Sequence, residues 1–254
     1  MNHGLDNHGL DIGPIDDEIR ALLAPGGVLR AGINLSNFLL VTSRADDGSP
    51  QGVSPDMARA LADLIGVELT YVPYPSPGLL ADDAGSGSWD VGLIGAEPQR
   101  AEFIAFTPAY SEIEASYLTP PGSTLTSVEE VDRPGVRIAT AARTAYGLWL
   151  ERNIRHATIV WGKTFDEALD ALREGRADAL GALRAGLLKD RERFPGATIM
   201  PGRFMAVQQA IGTPRARERA LPLLERFVAQ AVSTGFVARL IEKHGAEGLA
   251  VAQG

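Results

Sequence analysis

Arg100 is the residue of this chain best placed to do chemistry. It follows the short apolar run Val91-Gly92-Leu93-Ile94, bounded by turn residues as a buried parallel strand would be. In open α/β sheets, ligands bind beyond the carboxyl ends of strands. A guanidinium placed there holds a carboxylate through two parallel, charge-assisted hydrogen bonds. The alternative is a surface arginine that caps a short helix or pairs with Glu97 or Glu102, worth about 1 kcal/mol or less. Other reactive groups are sparse. The sequence has no Ser-x-x-Lys, Gly-x-Ser-x-Gly, phosphate-loop or HExxH motif. Gly85-Ser86-Gly87-Ser88 lacks the lysine of a nucleotide-binding loop. His3, His8, His156 and His244 have no metal-ligand spacing, and the absence of cysteine removes disulfides and thiolate chemistry. Neither a metal nor a cofactor is expected.

The elements that must position Arg100 follow from periodicity. With 254 residues, 45% of them hydrophobic, the chain can bury a sizeable core. Net charge is −8 and no basic cluster tracks a phosphate backbone, so nucleic acid is not an expected partner. No run approaches the roughly 18 apolar residues of a membrane span. Residues 1 to 13 read as flexible, and Ile15 to Leu23 as a short amphipathic helix ended by Pro25-Gly26-Gly27. Val28 to Leu35 reads as a strand and Ser43 to Gln51 as a loop. Pro55 to Ile65 reads as a helix with Ser54 as N-cap and Gly66 as stop, and Val67 to Val72 as the next strand. The second half alternates again. Strands are expected at 136–140, 157–160 and 177–182, helices at 145–153 and 165–174, and closing helices at about 214–233 and 235–244. Trp149 and Trp161 are expected in the core.

The stretch Trp89 to Tyr110, WDVGLIGAEPQRAEFIAFTPAY, resembles the signature of the bacterial solute-binding proteins of family 3, which deliver polar amino acids to ABC importers. Arg100, Phe106, Thr107 and Tyr110 keep that family's spacing. GVSPDMARALADLIGVEL and ALREGRADAL match two further family segments, so the resemblance covers about residues 28 to 244. It implies an α/β, two-lobed type 2 periplasmic-binding-protein fold, each lobe a mainly parallel sheet flanked by helices, joined by two hinge strands. The corresponding boundaries are residues 1–27 for the tail and first helix, 28–117 for lobe one, 118–207 for lobe two, and 208–254 for the return and C-terminal helices. The resemblance also implies that Arg100 takes the ligand's carboxylate. Thr144, at the mouth of a lobe-two helix, assists together with backbone amides, which favour an anion at a helix N-terminus. Arg143 stands where the family has glycine and adds a second positive charge. Asn37 and Phe38 face the ligand after the first strand, although Phe38 packs equally well in a core. Ala96, Glu97, Thr107 and Gln208 complete the expected ligand-binding set. Asp56 matches a helix-start acid that caps and positions its helix, and Arg184 reads as a solvated surface residue.

Three departures bear on the ligand. The positions that hold an α-ammonium in the family are Asn34, Gly95 and Leu183 here, and none carries a carboxylate. Each missing charge-assisted acceptor is worth about 1.5–3 kcal/mol. The aromatic sandwich of many members is replaced by Asn37 and Val53. The ligand expected is therefore a small carboxylate-bearing solute, an amino acid or, better, an organic acid. A shifted register in which Glu97, Glu112 or Glu114 accepts the ammonium is the alternative. The family's partner is an ABC permease, and a monomer is expected. Catalysis is not expected; a dehydratase-like enzyme, with one of those three glutamates as general acid, and a cytoplasmic ligand sensor are the other readings. The resemblance places the protein in the periplasm or outside the cell. The N-terminal MNHGLDNHGLDIGPIDDEIR lacks the positive and apolar regions of an export signal, which favours the cytoplasm.

Overall fold

In the computed structural model, residues 9 to 253 are described; His3, His8 and most of the tail expected to be flexible lie outside them. The chain divides into two compact units, one comprising residues up to Glu112 and from Gln208 onward, the other Ile113–Val207.

The first unit opens with α1 (Asp17–Leu23), which starts at Asp16 because its carboxylate accepts from the Glu18 N–H at 2.7 Å. Strand β1 (Val28–Asn34) follows. The expected loop from Ser43 contains a minimal hairpin, β2 (Ser43–Arg44) and β3 (Pro50–Gln51). Helix α2 (Val53–Ile65) begins two residues earlier than predicted, with Gly52 as its N-cap. Ser54 is not the cap. Its hydroxyl is buried 2.9 Å from the Tyr110 hydroxyl, and burial of that phenol requires such a partner. Gly66 closes the helix at φ 71°, a conformation only glycine adopts without cost. The unit continues through β4 (Glu68–Tyr74), α3 (Pro77–Asp82), β5 (Val91–Gly95), α4 (Pro98–Ala101) and β6 (Ile104–Phe106).

Strand β7 (Ser111–Thr119) carries the chain into the second unit. There follow β8 (Arg137–Ala141), α5 (Ala145–Asn153), β9 (Thr158–Gly162), α6 (Phe165–Arg173), β10 (Ala179–Leu183), α7 (Arg184–Asp190) and the short β11 (Thr198–Ile199). Thr144 and Thr164 cap α5 and α6 with their hydroxyls. Strand β12 (Met205–Pro214) returns to the first unit. A 3₁₀ turn at Arg215–Ala220, entered at Pro214, delays α8 to Leu221–Ser233. Helix α9 (Phe236–Lys243) and β13 (Leu249–Val251) end the chain.

Each unit is a mainly parallel α/β sheet flanked by helices, as expected. In the first, β1 lies between β4 and β5, all parallel, and β12 runs antiparallel to β5. In the second, β8 lies between β9 and β10, all parallel, and β7 runs antiparallel to β10. Connections leave β1 toward β4 and β8 toward β9, then cross to β5 and β10. Each unit therefore has a topological switch point, between β1 and β5 and between β8 and β10, where α/β sheets bind ligands.

The same ionic clamp closes the other end of both sheets. Asp90, just before β5, accepts from the Arg30 backbone N–H at 2.8 Å and from its guanidinium at 2.9 and 2.6 Å. Asp178, just before β10, accepts from Arg137 in the same pattern, at 2.8, 3.1 and 2.8 Å. Arg137 holds the Asp178 carboxyl below its ordinary range, the backbone amide acting in the same sense and burial opposing. Because this pKa is depressed, its contribution to stability is present above the unfolded value near 4 and is lost as pH falls through the folded value. Asp178→Asn should thus flatten the acid limb of a pH–stability curve below about pH 4, measured by urea unfolding at successive pH values.

Candidate functional site

The first switch point collects most of the residues that sequence singles out. Asn34 ends β1 and Gly95 ends β5, and the segments after them hold Asn37, Phe38, Ala96, Glu97 and Arg100. Pro98 starts the single-turn α4 at its first position, where its missing N–H is no loss. The Arg100 and Ala101 amides close on the Glu97 carbonyl, each at 2.9 Å. That turn sinks the Arg100 side chain. The residue is 5% exposed and its Nη1 donates to the Gly95 carbonyl at 2.7 Å. A buried guanidinium is expensive unless anions and acceptors surround it. Glu97, 4% exposed, is likewise buried. Strand β12 braces the segment, since the Ala96 amide donates to the Gln208 carbonyl at 2.8 Å.

Several neighbours are already committed. Asn34 Oδ1 accepts from the Ser36 amide and hydroxyl at 3.2 and 2.8 Å. Asn37 Oδ1 accepts from the Leu39 amide at 3.2 Å. The Thr107 hydroxyl donates to the Pro108 carbonyl at 2.8 Å and accepts from the Ile211 amide at 3.2 Å, so it pins this loop to β12. Gln208 Nε2 donates to Glu112 at 3.2 Å. Phe38 is exposed rather than part of the core. Asp56 does not cap α2; it accepts from Lys243 Nζ at 2.8 Å and lies 2.7 Å from His244 Nε2, tying α9 to the start of α2.

The second switch point holds Arg143, Thr144 and Leu183. Thr144 is the N-cap of α5: its hydroxyl accepts from the Gly147 amide at 3.0 Å and donates to the Ala141 carbonyl at 2.8 Å. The hydroxyl therefore organises the backbone amides of the helix start, groups that in general favour an anion. Burial pushes the phenol of Tyr146, in the same turn, up to about 12, with the Thr144 hydroxyl opposing. Arg143 has φ 63° and, among the described residues, is the non-glycine with a left-handed backbone. That conformation costs a residue with a Cβ about 1–2 kcal/mol. Arg143→Gly should accordingly leave stability unchanged or raise it by about 1 kcal/mol, read by urea unfolding. It should also weaken the binding of anionic ligands if the guanidinium serves them.

Leu183 ends β10 and offers no polar group, and Arg184 departs from expectation. Rather than lying in solvent, its Nη2 donates to the carbonyls of Met200, at 3.1 Å, and Gly202. Its Nε is 3.2 Å from Glu114 Oε2 but off the line of a hydrogen bond. Arg184 thus staples the segment before β12 to β7. Trp149 packs as expected, 5.3 Å from the Phe204 ring. Trp161 does not, being 45% exposed. Among the described residues, strand β9 pairs only with β8, so it is the sheet edge, a consequence of strand order that local sequence does not encode. Among the described residues there is no group of three metal-ligating side chains and no helix long and apolar enough to cross a membrane.

Comparisons with known proteins agree with this fold. The model of the bacterial extracellular solute-binding proteins, family 3, matches residues 29–247. The L-cystine-binding protein TcyJ of Escherichia coli K12 is 23% identical over 205 residues, covering 79% of this chain and 76% of TcyJ. The membrane-bound lytic murein transglycosylase F of Aeromonas hydrophila is 24% identical over 207 residues, 78% of this chain but only 41% of that protein. Among solved structures, an amino acid ABC transporter substrate-binding protein from Streptococcus pneumoniae bound to L-arginine superposes with a TM-score of 0.70 at 18% identity. That match covers 92% of this chain and 99% of the other.

Proposed function

The chain belongs to the bacterial extracellular solute-binding proteins of family 3, and from that premise we propose that it binds a small carboxylate-bearing solute for an ABC importer. The observation that carries this is the buried Arg100 at the β1/β5 switch point, its guanidinium steadied by the Gly95 carbonyl. In this reading the solute carboxylate is the bidentate partner of Arg100. The partner inferred is an ABC permease, to which the loaded protein delivers the solute.

Two of the proteins named above bind amino acids by their names, L-cystine and L-arginine. For this chain a carboxylate without an α-ammonium is the better ligand. Gly95 and Leu183 bring no polar side chain, and Asn34 Oδ1 is engaged by Ser36. Of the acids able to replace them, Glu112 bonds Gln208 and Glu114 pairs with Arg184 and Arg203, while Glu97 is buried and partnered as well. An ammonium would have to displace one of these contacts.

A thermal-shift screen of α-amino acids, hydroxy acids, keto acids and dicarboxylates tests the proposal. A ligand at 100 times its dissociation constant adds about 2.7 kcal/mol to stability. A rise in melting temperature with carboxylates, and none with their amides, is expected. No rise with any carboxylate would overturn the solute-binding reading.

A further inference from the structure

At the first switch point, one buried polar side chain has no partner among the described residues. Asn34, Asn37, Thr107 and Gln208 each make side-chain hydrogen bonds there, but none reaches the carboxamide of Gln209, although the residue is only 3% exposed. A buried carboxamide without a partner costs free energy. It is not sealed in, because the fully enclosed, unpartnered side-chain atoms among the described residues are the Ser111 hydroxyl and Arg184 Nε. A small molecule can therefore reach it. The backbone around it is fixed from both sides. The Ala96 amide donates to the Gln208 carbonyl and the Tyr110 amide to the Gln209 carbonyl, each at 2.8 Å. Gln209 stands directly opposite Gly95 in the antiparallel β5/β12 ladder. The neighbouring Ala96–Gln208 bond makes Gly95–Gln209 the close, non-hydrogen-bonded type of pair, in which both positions share one face of the sheet. Gly95 has no side chain to fill that face, and its carbonyl is the one that Arg100 Nη1 holds at 2.7 Å. Carboxamide and guanidinium thus flank the same residue, and all three belong to the first unit.

We propose that Gln209 is a specificity-determining residue that reads a hydroxyl on the carbon next to the solute's carboxylate, which makes 2-hydroxy acids the preferred class. This rests on the carboxylate-binding reading above. With its carboxylate on Arg100, a solute brings that carbon against Gly95 and beside the carboxamide. A hydroxyl both donates and accepts, and the carboxamide offers the matching oxygen and N–H. An acid without the hydroxyl displaces water and leaves the buried carboxamide unpaired, so the site rejects it by that cost. An α-ammonium can use only the carboxamide oxygen and meets no opposing charge. Gln209 touches the substituent while Arg100 holds the charge, so the two functions separate by mutation.

Calorimetric titration of the full chain with 2-hydroxybutanoate and with butanoate, which differ by that hydroxyl alone, tests this. Wild type should bind the hydroxy acid about tenfold more tightly or better, the scale of one hydrogen bond that a buried group needs. Gln209→Met keeps the length of the side chain and removes its polar atoms. It should narrow the preference to within about twofold, while butanoate binds no more weakly than to wild type. A merely structural glutamine would move both acids together, and that result overturns the inference. So does an equal affinity of wild type for the two acids, or an unchanged preference in Gln209→Met; either leaves the carboxylate site standing. Failure of every carboxylate in the thermal screen overturns both.

Discussion

Arg100→Ala is expected to weaken carboxylate binding by about 2–4 kcal/mol, roughly 30- to 900-fold, with the fold intact. The size of the effect follows from burial. Arg100 is 5% exposed, so water screens little of its attraction for an anion. Truncation removes both arms of the fork and leaves the bound carboxylate without its main partner. Arg100→Lys should fall between, because a point charge remains but the two parallel bonds are lost. The loss should appear equally for every carboxylate tested, since the residue reads the shared group and not the body. Titration of wild type and both variants checks this. Equal affinity in Arg100→Ala would remove Arg100 from the site.

Asp90→Ala should destabilise the protein by about 3–5 kcal/mol, the range for removing one member of a buried ion pair. Asp90 is fully buried, takes three hydrogen bonds from Arg30, and lies 2.5 Å from Arg217 Nη1. The change strands two guanidinium groups near the entrance of β1 and β5. Asp178→Ala removes the matching clamp of the second unit. There the side chains of Asp178 and Arg137 are 37% and 42% exposed, so solvent takes over and the loss is far smaller. Urea unfolding of the two variants should show that inequality. Equal effects would mean that burial does not govern the clamp.

Much of the fold was legible because its elements are short and punctuated. Val91–Gly95 is a five-residue apolar strand between turn residues, and Ala145–Asn153 begins at a threonine cap. Both signals are local, and both elements formed where expected. Errors arose where a distant partner decides. Ser54 has the right chemistry for a cap, yet Tyr110, 56 residues away, takes its hydroxyl. Asp56 has the type and place of a residue serving its own helix, but Lys243 and His244 claim it. Arg184 has the sequence context of a solvated residue, but two carbonyls near residue 200 hold it. The candidate site was legible by position more than by contact. Spacing placed Arg100 after a strand end and Thr144 at a helix start. That the Thr107 and Thr144 hydroxyls would be occupied by their own loops follows only from three-dimensional backbone geometry. The left-handed backbone of Arg143 had a signal in sequence, because the resembling family has glycine there.

The central claim is that Arg100 holds a carboxylate that lacks an α-ammonium, and calorimetry with matched pairs of α-amino acids and 2-hydroxy acids of the same skeleton tests it most directly. The account predicts that the 2-hydroxy acid binds at least as tightly as the amino acid, and that Arg100→Ala weakens both by the same factor. Tight binding of the α-amino acids alone would contradict it, and would assign the ammonium to one of the glutamates at positions 97, 112 and 114.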